Sequence, residues 1–316
     1  MRELYPPIAP DHVELLDVGH GHTVYVEQCG RHDGLPVVFL HGGPGGGCKA
    51  DHRQFFDPER YRVFLVDQRG AGRSRPLGGV DHNTTDDLIA DLETVRERHG
   101  VDRWVLFGGS WGAALALAYA EACPERVSGL VLRGTFLARR SDVDWFFSAG
   151  ANRLLPMQWQ AFLDAMQLPP GADFHAALYD GIFSDEPSTV ERVARAWEAW
   201  SGAVVMYSID SVGEGGAGPL DLAIAKARIE MHYAHHRYFM RENQLLEDIG
   251  RVPRVPTIIV HGARDITCTA EAAFAAHRAL PGSRFEVLRS AGHLSSERPM
   301  IDALVRAADE IADRLG

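Results

Sequence analysis

The sequence predicts an α/β fold: a mostly parallel central sheet flanked by helices and interrupted once by a long helical stretch. Three observations carry this expectation. Short apolar runs such as Val63-Phe64-Leu65-Val66 and Trp104-Val105-Leu106-Phe107 recur without polar alternation, as strands buried on both faces require. Stretches of helical period separate them, which gives β-α-β order with right-handed crossovers. A serine also stands among glycines, Gly108-Gly109-Ser110-Trp111-Gly112, where one apolar run gives way to a helix.

Taken in order, Val13–Val18 and Thr23–Glu27 read as strands joined by the hairpin signal Gly19-His20-Gly21-His22. Pro36–Leu40 and Arg62–Asp67 are short buried strands. Thr84 to His99 is a helix: Thr84 or Thr85 caps it, Asp86 and Asp87 fill its first turn, and Leu88, Ile89, Leu92 and Val95 share a face. The strand before Ser110 is followed by a helix from Ala113 to Ala122 and a strand at Val127–Leu132. From about Phe136 to Arg251 no comparable strand occurs, only helical periodicity rich in Trp, Phe, Ala and Met. Alternation then returns with a strand at Thr257–Val260, a helix at Ala270–Ala279, a strand at Arg284–Leu288 and a closing helix at Met300–Leu315. The expected organisation is a core made of residues 1–135 and 252–316, with residues 136–251 forming a helical cap over the active-site edge. The glycine-rich run Gly213 to Gly218 is expected to be the loosest part of that cap and its first site of proteolysis.

Composition narrows the function. The net charge is −11, without a basic stripe, which argues against a nucleic-acid partner. No run approaches the roughly 18 apolar residues of a membrane span, and Met1 to Pro7 lacks the apolar core of a signal peptide. Cys29, Cys48, Cys123 and Cys268 lie far apart without metal-ligand spacing, so free thiols in a reducing cytoplasm are expected.

The chemistry is carried by three constellations. A serine on a sharp strand-to-helix turn needs small neighbours, and Ser110 between Gly108 and Gly112 meets that need; this is the nucleophile elbow of α/β-hydrolases. A serine hydroxyl needs a base to take its proton and a carboxylate to orient the base, and in these enzymes they follow in the order Ser, Asp, His. Asp265, just past the strand Thr257–Val260, and His293, on the loop after Arg284–Leu288, fit those places. The run His41-Gly42-Gly43-Pro44-Gly45-Gly46-Gly47 lacks the Gly-Lys-Ser/Thr ending of a phosphate-binding loop. It reads as an oxyanion loop, whose Gly43 N–H joins the N–H of Trp111.

Along most of its length the sequence resembles the proline iminopeptidases. The likeness lies in Leu4-Tyr5-Pro6-Pro7, His41 to Gly47, Phe56 to Tyr61, Asp67-Gln68-Arg69-Gly70 with Gly72-Arg73-Ser74, Asn83-Thr84-Thr85, Gly108 to Tyr119, Pro124 to Val127, Val131 to Gly134, Arg228-Ile229-Glu230 with His232-Tyr233, and Ala291-Gly292-His293. The resemblance implies release of an N-terminal proline from a small peptide, without metal or cofactor. It further implies that the protonated amine is held by two glutamates of the cap, one matching Glu230. The other belongs to a Trp-x-x-Trp-Glu motif, but here Trp197-Glu198-Ala199-Trp200 is followed by Ser201. Glu198, three residues before Ser201, is the nearest replacement on a helix. The slot for the proline ring is implied at Phe136 and Phe146, with Arg133 beside it.

Other features have plainer readings. His232, His235 and His236 belong to a cap helix rather than a metal site, and Trp197 and Trp200 pack the cap. Cys268, three residues past Asp265, is placed near the triad without a catalytic role. Two further functions are compatible with the scaffold: an amino-acid amide or ester hydrolase, including a pathway-tailoring enzyme, in which Ser201 has reshaped the amine pocket, and a non-catalytic ligand receptor. The complete Ser–Asp–His set argues against the receptor.

Overall fold

The computed structural model describes residues 1–168, 172–208 and 218–316. Positions 213–217 of the glycine-rich run, with the expectation attached to them, lie outside these residues. Eight strands form one sheet: β1 (His12–Asp17), β2 (Thr23–Gly30), β3 (Leu35–Leu40), β4 (Tyr61–Asp67), β5 (Trp104–Gly109), β6 (Val127–Arg133), β7 (Thr257–Gly262) and β8 (Arg284–Leu288). Their spatial order is β1-β2-β4-β3-β5-β6-β7-β8. From β4 to β8 every pairing is parallel, while β1–β2 and β2–β4 are antiparallel. The turns after β3, β5, β7 and β8 therefore open at one edge of the sheet, the edge where ligands bind in open α/β sheets.

Helices cover both faces. On one side, α1 (Thr85–Arg98) and α2 (Trp111–Ala122) pack with α10 (Ala270–Ala279) over Val38, Leu106 and Leu132. Of the two threonines expected as caps it is Thr84 that caps α1, in a reciprocal capping box: its Oγ1 accepts from Asp87 N–H at 3.2 Å, and Asp87 Oδ2 accepts from Thr84 N–H at 3.0 Å. On the other side, α11 (Arg298–Leu315) lays Met300, Leu304 and Ile311 on Val37, Val105 and Val131. Its apolar residues fall at helical spacing along one stripe.

Between β6 and β7 the described residues contain no strand. They form α3 (Arg140–Asp144), α4 (Ala151–Leu154), α5 (Pro156–Met166), α6 (Phe174–Ile182), α7 (Pro187–Val205), α8 (Leu220–His235) and α9 (Gln244–Glu247), joined by short helical turns. Pro156 and Pro187 open α5 and α7 at first-turn positions, where a missing N–H costs nothing. This insertion builds most of a third apolar cluster, around Phe162, Leu178, Val193, Trp197 and Trp200, which Ile266 joins from the turn after β7. No helix among the described residues is long and apolar enough to cross a membrane.

Candidate active site

β5 ends at Gly109 and α2 begins at Trp111, so Ser110 alone makes the turn, at φ 58° and ψ −124°. A non-glycine residue at positive φ costs about 1–3 kcal/mol and persists only where its surroundings hold it. Here Ser110 N–H donates to Arg133 C=O and Ser110 C=O accepts from Ala113 N–H, both at 2.9 Å. The flanking glycines are steric necessities. A Cβ on Gly108 would lie 2.2 Å from the Gly112 carbonyl oxygen, and one on Gly112 would lie 2.0 Å from that of Leu40.

Asp265 and His293 sit on the turns after β7 and β8. His293 Nδ1–H donates to Asp265 Oδ2 at 2.8 Å, which leaves Nε2 as the ring's acceptor. The second carboxylate oxygen accepts from the N–H groups of Thr267 and Cys268, each at 2.9 Å. Burial alone would raise the Asp265 pKa, but the imidazole of His293 and the Cys268 N–H outweigh it and hold the carboxyl below its usual range. Ser110 Oγ lies 3.9 Å from Cys268 Sγ, within weak hydrogen-bond reach; its bond to His293 is not made in this conformation. Cys268 is thus at the nucleophile itself, and burial pushes its thiol well above the ordinary range, with Asp265 adding to the effect.

Ser110 and His293 open into a cavity of about 340 Å³. The loop from His41 to Gly47 forms one wall, with Gly43 at positive φ. Of the residues assigned to substrate binding from the sequence, Arg133, Phe136, Phe146, Ser201 and Glu230 all line the cavity. Among the described residues Glu230 is the one carboxylate that lines the cavity; its Oε2 accepts from Trp197 Nε1–H at 2.6 Å and its Oε1 lies 3.7 Å from Lys226 Nζ. Burial raises its pKa, against the opposing pull of Lys226 and the Trp197 hydrogen bond.

Glu198 differs from the expectation: it does not line the cavity, its side chain is 38% exposed, and its carboxylate pairs with Arg195 at 2.8 Å. The reason is helical geometry. On α7, Trp197, Trp200, Ser201 and Val204 form the buried face, and Glu198 is turned about 100° from Trp197 onto its margin. Trp197 also lines the cavity, so it contacts the site as well as packing the insertion, whereas Trp200 is confined to the apolar cluster. Sequence reading missed Lys49, His52 and Lys226, which line the cavity too. Lys226 was discoverable, since it precedes Glu230 by four residues on a helix.

The three histidines of the insertion have packing partners: His232 bonds the Asn83 carbonyl at 2.9 Å, His235 stacks on Tyr179 and His236 on Phe239. Among the described residues no group of three or more His, Cys, Asp or Glu side chains is arranged to hold a metal ion.

An elbow serine, an Asp–His pair on the following turns and a glycine loop at one sheet edge define a class. Residues 36–298 match the α/β hydrolase fold family. Within it, the chain belongs to the proline iminopeptidase family. It is 45% identical to the proline iminopeptidase of Xanthomonas citri over 313 residues, which span 99% of this chain and 100% of that protein. It is 40% identical to that of Arabidopsis thaliana over 100% of this chain and 83% of the relative. The crystal structure of a proline iminopeptidase from Mycobacterium smegmatis has the same fold, with a TM-score of 0.62 at 18% identity over 96% of this chain and 100% of that one.

Proposed function

We propose that this chain releases an N-terminal proline from short peptides as a serine aminopeptidase, with Ser110 as nucleophile, His293 as base and Asp265 as its orienting carboxylate. One observation carries the reading: the Asp265–His293 pair at 2.8 Å and the elbow Ser110 serve the same cavity as the buried carboxylate Glu230. Ser110 Oγ attacks the prolyl carbonyl carbon as its proton passes to His293 Nε2. The resulting oxyanion is held by the N–H groups of Gly43 and Trp111, and His293 then protonates the leaving nitrogen. Water, deprotonated by the same imidazole, hydrolyses the acyl-enzyme. Trp111 N–H opens α2, where the helix leaves its first donors free for an anion.

In this reading Glu230 pairs with the protonated amine of the substrate, which admits only a free N-terminus, and Phe136 and Phe146 form the walls for the pyrrolidine ring. Arg133 and Ser201 complete the lining. Four free cysteines fit a reducing compartment, and the proposal places the enzyme in the cytoplasm. A second reading, an amino-acid amide or ester hydrolase, is favoured by one feature: Lys226 already partners Glu230, and Ser201 supplies no second carboxylate. A panel of aminoacyl p-nitroanilides against simple acyl esters separates the two. Proline-amide turnover far above the rest supports the first reading, and ester-only turnover the second. Ser110→Ala is expected to abolish both activities while the fold is kept, and an organophosphonate to label Ser110; full activity of Ser110→Ala would overturn the triad.

A further inference from the structure

Gln68 follows β4 in the run Asp67-Gln68-Arg69-Gly70 and is buried. Its neighbours are clamped by ion pairs: Asp67 to the partly exposed Arg73 at 2.7 Å, and Arg69 to Asp91, both buried, at 2.7 Å. From this fixed backbone three hydrogen bonds tie Gln68 to His41 and Trp111. Its N–H donates to His41 Nε2 at 3.0 Å, its side-chain amide donates to the His41 carbonyl at 3.0 Å, and its Oε1 accepts from the Trp111 indole N–H at 2.9 Å.

The first bond fixes a tautomer. Because His41 Nε2 accepts, Nδ1 carries the proton and donates to the Gly42 carbonyl at 3.0 Å. That carbonyl also accepts from Gly46 N–H at 3.1 Å. The Gly42–Gly43 peptide is trans, so its carbonyl and the Gly43 N–H point in opposite directions. Pinning the carbonyl from two sides therefore aims the Gly43 N–H. The other end of the network holds the indole of Trp111, whose own backbone N–H is the second donor.

We propose that Gln68 is a positioning residue for the oxyanion hole, tying the loop that carries the Gly43 N–H to the residue that supplies the Trp111 N–H. This rests on the serine-hydrolase reading above and adds to it a residue that does not touch substrate. Two donors on separate loops stabilise a tetrahedral oxyanion only if their separation is held, and Gln68 bridges the two.

The test compares Gln68→Leu, which removes both side-chain bonds at similar volume, with Gln68→Glu, which keeps the acceptor for Trp111 and loses the donor to His41. Steady-state turnover of prolyl p-nitroanilide, affinity for a proline boronate as tetrahedral mimic, affinity for proline itself and thermal unfolding are measured for each. Gln68→Leu is expected to lower kcat by about 10- to 100-fold, less than or comparable to loss of one donor. KM and proline affinity are expected to stay within twofold, and boronate affinity to fall in step with kcat. Gln68→Glu is expected to fall between Leu and wild type. A lowered Tm with unchanged kcat and boronate affinity would show a purely structural role and overturn the proposal. If Gln68→Leu does not fold, Trp111→Phe removes the same indole bond from the other side, and unchanged kcat there overturns it equally. Phosphonate labelling of Ser110 in the wild type keeps the two ideas apart, because it tests the nucleophile whatever Gln68 does.

Discussion

Glu230 holds the sharpest residue-scale prediction. Burial raises its pKa, yet the amine of the substrate is bound only by the ionised form. The acid limb of kcat/KM for prolyl amides is therefore expected above the usual carboxylate range, with activity lost as pH falls through it. A neutral acyl ester has no charge for the carboxylate to hold and should lack that limb. Glu230→Gln should raise KM for the amide by about 10-fold or more, as loss of a charge-assisted contact implies, and should leave the ester nearly unchanged. Equal effects on both substrates would remove Glu230 from amine recognition. At this scale the sequence pointed to the residues proposed as the triad, because Ser110, Asp265 and His293 stand beside strand ends that local pattern reveals, and the structure brings Asp265 and His293 within 2.8 Å. It did not expose the place of Gln68, whose hydrogen bonds to His41 and Trp111 run across loops. It misplaced Glu198 because a spacing of three residues says that two side chains are neighbours, but not which of them faces inward.

At the scale of elements, α2 shows what burial asks of a helix. Most of its residues are buried, so it reads as apolar all round, and Glu121 near its end is the exception. Among the described residues Glu121 Oε1 has no hydrogen-bond partner, and the carboxylate lies at the negative end of the helix dipole. Burial, with Asp248 adding to it, pushes the Glu121 pKa up to about 8 against the pull of Arg251 and Arg241. A folded-state pKa above the unfolded one means the neutral form is preferred in the fold. Its contribution is intact below the ordinary carboxylate range and is lost as pH rises through about 8. Glu121→Gln keeps the neutral shape at every pH. It should match wild-type Tm at about pH 4 and exceed it by a few degrees at about pH 9 in thermal melts; an equal difference at both pH values would contradict the assignment. Element identity was otherwise legible: α10 and β8 occupy the stretches their periodicity predicts. Strand ends and partners were less so. β2 runs on to Gly30 because Gln28, Cys29 and Gly30 pair antiparallel with Phe64, Val63 and Arg62, a non-local register that no local pattern encodes.

For the whole molecule, the apolar clusters separate two jobs. Two of them grip opposite faces of the sheet and so hold the turns that carry Ser110, Asp265 and His293. The third lies largely in the insertion, where α7 and α8 present Trp197, Ser201 and Glu230 to the cavity. We propose on this basis that residues 136–251 act as a cap that reads the substrate, while residues 1–135 and 252–316 perform the chemistry. The break in strand periodicity after Phe136 made the insertion visible in sequence; its seat over the site depends on tertiary contacts such as Trp145 Nε1–H donating to the Ile266 carbonyl at 2.8 Å. Trp200 tests the division, since it is fully buried against Trp159 and Phe162 and does not line the cavity. Truncating such a side chain costs about 3–5 kcal/mol and loosens the packing around it. Trp200→Ala should raise KM for prolyl amides several-fold, because α7 no longer holds Trp197 against Glu230. The rate at which a small phosphonate labels Ser110 should remain within about twofold, since Trp200 belongs to neither cluster that grips the sheet, although α8 joins the first of them through Ile229 and Tyr233. Stopped-time labelling beside amide kinetics measures both. A labelling rate that falls in parallel with amide turnover would mean that the insertion and the catalytic core form one cooperative unit.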